Sequence, residues 1–500
     1  MTKNSIEEGG IRARPSWDDA TDLAQKIASG DTTPLQAVEE CIKRIKFFNK
    51  PLNAVVSLQE EKAIQEAKTR DFTGLPFGGV PLLLKDLGQN QAGVVSSGGS
   101  KLFTKSTSAS SDYFVRALEA AGFIIIGRTN VPEFGFKNIS DAAIFGPVSN
   151  PFRLKCNAGG SSGGAAAAVS SGMVPIAAAS DGGGSIRIPA SFTSLIGLKP
   201  SRGKIPVGPS SFRGWQGASV NFALTTSVRD TRNLLEALQV QQMESPFIMP
   251  LLSHEALHAR IDRPLRIAYS DQSPVGSLVS DEAKAALRWT IEFLEHLGHS
   301  VEKVEPAIDG YDLMKGYYVM NSVETAAMFD EIAQGLGRDL TPDDMELMTW
   351  AIYQAGQEIL AKDYTKILQD WDYYSAKMAK FHEVYDLYLT PTTADVAPLH
   401  GQLGLTPDLE EELKGMADLT VAQGQNLIWR MFEKSLALTP FTQLANITGQ
   451  PAISLPVYFT EDGLPLGVQF MAAKGREDLL LALAQDFEDH DLILNRWAKE

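Results

Sequence analysis

The sequence predicts an α/β protein built on one large, mixed, mainly parallel twisted sheet with helices on both faces. Three observations lead there. Residues 80–84 (Val-Pro-Leu-Leu-Leu) and 123–127 (Phe-Ile-Ile-Ile-Gly) are continuously apolar rather than alternating, the pattern of strands buried on both faces. A helical pattern precedes the second run, so the two make a strand–helix–strand unit, which favours parallel pairing. Residues 157–200, rich in glycine and alanine, read as loop, helix, strand, loop, helix.

The elements follow in order. Residues 16–28 and 34–48 read as helices: Leu35, Val38, Ile42 and Ile45 recur at helical spacing, and Pro34 suits a first turn. Residues 52–58 are the first strand. Ser111 is placed to cap a helix that runs through Ala120 and that Gly122 ends. Within the glycine-rich stretch, 165–169 is small and helix-prone, and 174–179 is a short apolar strand. A Gly/Pro/Ser loop at 207–219 carries Phe212, Arg213 and Trp215. The acidic, aromatic region beyond it holds Tyr311, Tyr317, Tyr318, Phe329, Trp350, Tyr353, Tyr364, Trp371, Tyr373 and Tyr374. Most of these fit helix cores, and a few would line a pocket. The acidic run 408–412 reads as a solvated face. Asp462-Gly463 signals a hairpin between strands at 453–459 and 466–471, and 477–488 is an amphipathic helix. With no internal repeat or low-complexity linker, 1–500 reads as a single domain.

Composition bounds the function. The chain has 500 residues, 44% hydrophobic and 21% charged, which fits a soluble globular protein. A net charge of −16 argues against nucleic acid or acidic membranes as partners. Cys41 and Cys156 suggest no disulfide framework, and 1–15 lacks an apolar signal core, so the expected location is the cytoplasm. No Cys/His metal spacing and no Gly-Lys-Ser/Thr phosphate loop occurs, so neither metal nor cofactor is expected. A homodimer is compatible with the sequence but not written in it.

The glycine-rich stretch carries the chemistry. Two glycine loops each present a serine, Ser161 and Ser185, and one helix and one strand between them would fold the two side by side. Gly182, Gly183 and Gly184 lack side chains, so a substrate can approach their backbone, and successive N–H groups there can hold an anion. Acyl transfer needs such donors around its nucleophile, which makes Ser185 the nucleophile. A helix starting near Ser185 would add its own N–H groups. Asp181 and Arg187 flank the loop with opposite charge and are expected to brace it. Ser162 reads as a helix cap. A hydroxyl nucleophile needs a base, and all seven histidines lie outside the serine loops. Lys85, ending the apolar run, is the alternative, because burial favours its neutral form. The run Gly159-Gly160-Ser161-Ser162-Gly163 also matches the G-x-S-x-G elbow of α/β-hydrolases. That elbow needs a strand running straight into it, and 150–157, with Pro, Arg, Lys and Asn, makes a poor one.

These residues resemble the amidase signature family. The match lies in Gly159-Gly160-Ser161-Ser162-Gly163-Gly164, Asp181-Gly182-Gly183-Gly184-Ser185-Ile186-Arg187-Ile188-Pro189 and Gly197-Leu198-Lys199-Pro200. It extends to Gly79–Asp86, to Gly127-Arg128-Thr129-Asn130-Val131-Pro132-Glu133-Phe134, and to the C-terminal runs Gly449–Pro456 and Gly463–Gln469. The resemblance implies a Ser–cis-Ser–Lys triad: Ser185 as nucleophile, Ser161 as the bridging serine after a cis peptide, Lys85 as base. It puts the oxyanion donors on Gly182, Gly183, Gly184 and Ser185, makes 80–200 the signature core and leaves about 239–436 as a variable substrate-pocket region. The implied activity is hydrolysis of a small-molecule carboxylic amide through an acyl-enzyme. Asp-Gly-Gly-Gly-Ser resembles the subgroup with the cyclic-dimer hydrolases of nylon oligomers, which keeps a cyclic amide open. Another alternative is the glutamine-hydrolysing subunit of a tRNA-dependent amidotransferase. Against it, 437–442 has no acidic residue to meet a glutamine amino group.

Overall fold

Eleven strands make the main sheet of the computed structural model: β1 (Val55–Leu58), β2 (Pro81–Lys85), β3 (Ile124–Thr129), β4 (Ala177–Asp181), β5 (Ile196–Lys199), β6 (Val220–Thr225), β7 (Arg266–Tyr269), β8 (Ser300–Lys303), β9 (Leu387–Pro391), β10 (Ala452–Phe459) and β11 (Pro465–Ala472). The structure describes residues 14–494, with the backbone of two short strands at Ile6–Glu7 and Gly10–Ile11. The spatial order is β8–β7–β9–β11–β10–β5–β6–β4–β2–β3–β1. The sheet is mixed. Parallel pairing joins β4, β2 and β3 on one flank and β8, β7 and β9 on the other. The remaining pairings are antiparallel, because β10 and β11 form a hairpin and β6 runs back between β4 and β5. The hairpin turns at Gly463, whose positive φ of 77° suits glycine.

Every residue of β2, β3 and β5 is buried, as continuous apolar runs require of strands covered on both faces. The helix Gly163–Ser170 is also buried all round. Its glycines and alanines leave room for close approach, and a helix apolar on every side belongs in a core.

Several boundaries differ from expectation for local reasons. The second helix runs from Pro34 to Leu52, where Asn53 ends it at φ 53°, so β1 starts at Val55 rather than at 52. Ser111 does not cap the helix Tyr113–Ala120. Asp112 holds that position, and the Ser111 hydroxyl accepts the Ala92 N–H. Residues Arg153–Asn157 do form a strand, but it pairs with Ser149–Asn150 and bridges at Cys156 to Leu399, outside the main sheet. The helix Pro407–Lys414 exposes Asp408, Glu410, Glu411 and Glu412.

A second apolar cluster stands beside the sheet, built from Gly310–Leu336, Leu347–Gly356, Ala361–Phe381 and Val421–Leu438. Tyr317, Tyr318 and Trp371 are buried in it, whereas Tyr311 and Tyr373 face solvent. Among the described residues no helix is long and apolar enough to cross a membrane. Both cysteines are buried and free.

Candidate active site

Strands β2 and β4 are parallel neighbours, so their carboxyl ends open at the same edge of the sheet, where α/β proteins place ligands. Lys85 is the last residue of β2. Asp181 is the last residue of β4 and leads straight into Gly182-Gly183-Gly184-Ser185. Ser161 stands just before the helix that precedes β4, and the peptide from Gly160 to Ser161 is cis. The topology thus gathers three residues spread over 100 positions. Ser161, Ser180, Gly182 and Ser185 line one cavity of about 220 Å³. None of the seven histidines lines it.

The Lys85 Nζ donates to Ser161 Oγ at 2.8 Å and to Ser180 Oγ at 2.9 Å. Burial lowers the Lys85 pKa from 10.5 to about 7, against the opposing pull of the Asp181 carboxylate. Asp86 turns away, to the Ser97 hydroxyl and N–H, with Arg128 beside it. Lys199 is an instructive contrast. Burial lowers it to about 7 as well, yet its Nζ donates to the Pro200 carbonyl at 2.8 Å and meets no serine. A depressed lysine is common to both; contact with a serine hydroxyl separates them.

Asp181 and Arg187 form a buried bidentate pair, with Nε–Oδ2 of 2.9 Å and Nη2–Oδ1 of 2.8 Å. Burial pushes the Asp181 carboxyl up, but the Arg187 charge and hydrogen bonds and the Asn446 amide outweigh it and hold the carboxyl below its ordinary value. Arg187 reaches on to the Thr442 carbonyl, Gln469 Oε1 and Asn446 Oδ1.

The glycine loop departs from expectation in one respect. The Asp181 carboxylate accepts the N–H groups of Gly184, Ile186 and Arg187, so the Gly184 N–H is occupied and the helix that starts at Arg187 offers no free N-terminal donors to a substrate. Gly182, Gly183 and Ser185 remain as candidate donors. Their peptides are oriented from behind: the Tyr317 hydroxyl donates to the Gly182 carbonyl at 3.1 Å, and Thr442 Oγ1 to the Gly183 carbonyl at 2.6 Å. A Cβ on Gly183 would lie 2.5 Å from the Tyr317 hydroxyl, so any larger residue there must displace that hydroxyl or the loop. Ser162 occupies the N-cap position without capping. Its hydroxyl donates to the Ser180 carbonyl instead.

Sequence reasoning gives Ser180, Tyr317, Thr442 and Asn446 no role in this loop. Ser180 stands one residue before the quoted motif that opens at Asp181. The other three are brought in from more than 130 residues away. The cavity walls are Leu87, Phe134, Phe136, Trp215 and Met328, closed by Glu324 and Thr325. Trp215 stacks on Phe136, and its ring lies over Gly182. A trio of metal-ligand types, Glu236, His254 and His258, occurs near the surface, and none of it lines the cavity.

A family model described as Amidase matches residues 36–481. The chain belongs to the amidase family. It is a hydrolase of amide carbon–nitrogen bonds. It is 40% identical over 475 residues to a lipoamidase of Enterococcus faecalis, across 95% of this chain and 63% of that protein. The chain therefore spans less than two thirds of that relative. It is 34% identical over 481 residues to a 6-aminohexanoate-cyclic-dimer hydrolase of Paenarthrobacter ureafaciens, across 94% of each. A solved structure of 6-aminohexanoate cyclic dimer hydrolase complexed with substrate superposes with a TM-score of 0.85 at 31% identity, covering 96% of this chain and 98% of that one.

Proposed function

We propose that the enzyme cleaves its amide through an acyl-enzyme, with Ser185 as nucleophile, Ser161 as proton relay and Lys85 as base. The observation that supports this most is the 2.8 Å contact between a buried, weakly basic Lys85 and Ser161 in the cavity that Ser185 lines. Ser185 Oγ bonds to the carbonyl carbon. Its proton passes to Ser161 Oγ as the Ser161 proton passes to Lys85 Nζ. The N–H groups of Gly182, Gly183 and Ser185 hold the oxyanion. The proton returns along the relay to the amide nitrogen as the C–N bond breaks, and the amine leaves. Water then attacks the ester with the same relay as base, releasing the acid and restoring Ser185.

The chain is read as one domain in which 80–200 carries the triad and 239–436 adds pocket wall through Glu324, Thr325 and Met328. Leu87, Phe134, Phe136, Trp215 and Met328 suit an amide with apolar arms. A cyclic amide fits this description, and the cyclic-dimer hydrolase relative favours it among the alternatives. The test is turnover by the isolated chain across linear, aryl and cyclic amides, with glutamine included. Ser185→Ala should lose at least about three orders of magnitude on every substrate that is cleaved. Near-normal turnover by Ser185→Ala would remove the nucleophile. Turnover of glutamine alone, and only with a second subunit, would favour the amidotransferase role.

A further inference from the structure

The catalytic cavity is apolar and aromatic apart from its serines and a few polar groups, and one of those is a carboxylate. Glu324 lies on the wall, partly buried, in the middle of the helix Gly310–Leu336. It is held in a set position. The Gln216 amide donates to its Oε1 at 2.8 Å, and the Tyr364 hydroxyl donates to the same oxygen. Both holding groups are neutral, and Oε2 takes a bond from neither. Burial and then the carboxylate itself raise the Tyr364 phenol, so it stays a donor.

The backbone beside it is strained. Trp215 and Gln216 are consecutive non-glycine residues at φ 51° and 52°, in the left-handed region. Such residues are strained and persist where surrounding structure fixes them, often at functional sites. The strained pair sends its two side chains to two different parts of the cavity lining. The Trp215 ring covers Gly182 of the nucleophile loop, and Gln216 clamps Glu324. Phe134, a third such residue at φ 48°, lines the same space. Arg213 bonds the far end of the Gln216 amide at 3.4 Å, which orients Gln216.

A carboxylate held on an apolar wall by two neutral donors at Oε1 keeps Oε2 available to accept from a cation or an N–H donor. We propose that Glu324 selects amides that carry a cationic amine or a strong N–H donor remote from the scissile carbonyl, with an apolar arm spanning the distance; this rests on the amidase reading of the same cavity. Glu324 is a specificity-determining residue and takes no part in proton transfer.

Two matched pairs test it: hexananilide against 6-aminohexananilide, and N-hexylbenzamide against N-(6-aminohexyl)benzamide. In at least one pair the cationic member should have a kcat/KM about ten-fold above its neutral partner. Glu324→Gln should bring that ratio close to one, and a urea unfolding midpoint close to the wild type's reports that the variant is folded. In the wild type alone, hexylamine should inhibit neutral turnover at lower concentration than hexan-1-ol. Ser185-dependent turnover with no preference in either pair would overturn the proposal and leave the amidase reading standing. So would a preference that survives Glu324→Gln, or equal inhibition by the amine and the alcohol. No Ser185-dependent turnover of any of the four would overturn the reading of the site, and the proposal with it.

Discussion

Replacing Lys85 by Met should abolish activity and yet stabilise the fold at neutral and acidic pH. The reason is the burial that weakens Lys85 as a cation. A fall from 10.5 to about 7 is a factor of about 3,000 in proton affinity, or about 5 kcal/mol at about 1.4 kcal/mol per tenfold. Below pH 7 the lysine is charged both folded and unfolded, so the folded state carries the whole penalty. Between pH 7 and 10.5 the unfolded chain binds the proton and the folded one does not, so stability rises with pH. Removing the ammonium also leaves the Ser161 and Ser180 hydroxyls without a partner, at about 1 kcal/mol each. The difference is a gain of about 3 kcal/mol for Lys85→Met at pH 6, shrinking as pH rises and changing sign near pH 9. Urea unfolding of both proteins at several pH values measures it. A stability difference that does not change with pH would refute a depressed Lys85. The same pKa puts the acidic limb of the acylation rate near pH 7. Lys85→Arg should be as inactive as Lys85→Met, because a guanidinium stays charged. An active Lys85→Arg enzyme would mean that positive charge alone is needed, and the relay would fall.

Other expectations are simpler to state. Lys199→Met should shift the pH–rate profile little, since its ammonium meets a carbonyl and no serine; loss of the acidic limb in that variant would mean the limb belongs to Lys199. Gly183→Ala should lower kcat about a hundred-fold by displacing an oxyanion donor, and Tyr317→Phe in the same chain should recover part of it by removing the hydroxyl the new Cβ meets. Additive losses in that double variant would show that the clash is elsewhere. Arg187→Met leaves the Asp181 carboxylate buried and unpaired, so unfolding free energy should fall by about 3–5 kcal/mol, read by urea titration.

Much of this architecture is legible in the sequence because it is local. The apolar runs at 80–84 and 123–127 became β2 and β3, shifted by a residue or two, since continuous burial leaves a continuous apolar mark. The hairpin at Asp462-Gly463 and the helix that ends at Asp489 follow from turn chemistry and period. The glycine loops announce Ser161 and Ser185 in the same way. The rest depends on pairing at long range. No spacing rule tells that Tyr317 would reach Gly182 or that Thr442 would reach Gly183. The aromatic walls came from Phe134, Phe136 and Trp215 rather than from the tyrosines and tryptophans of 311–374, which mostly fill the second core or face solvent. The occupied Gly184 N–H is invisible in sequence because it depends on which way one carboxylate points.

The buried network around Arg187 sets when the enzyme is finished. Its anchors on Thr442, Asn446 and Gln469 lie 255 to 282 residues further along the chain. A ribosome adding about 5–20 residues per second needs roughly 15–60 seconds to go from the nucleophile loop to Gln469. Through that interval Ser185 has been synthesised, but the loop that presents it lacks its anchors on Thr442, Asn446 and Gln469. Chain growth should thus act as a built-in delay: a nascent or truncated polypeptide that already carries Lys85, Ser161 and Ser185 is expected to stay without activity until the C-terminal hairpin docks.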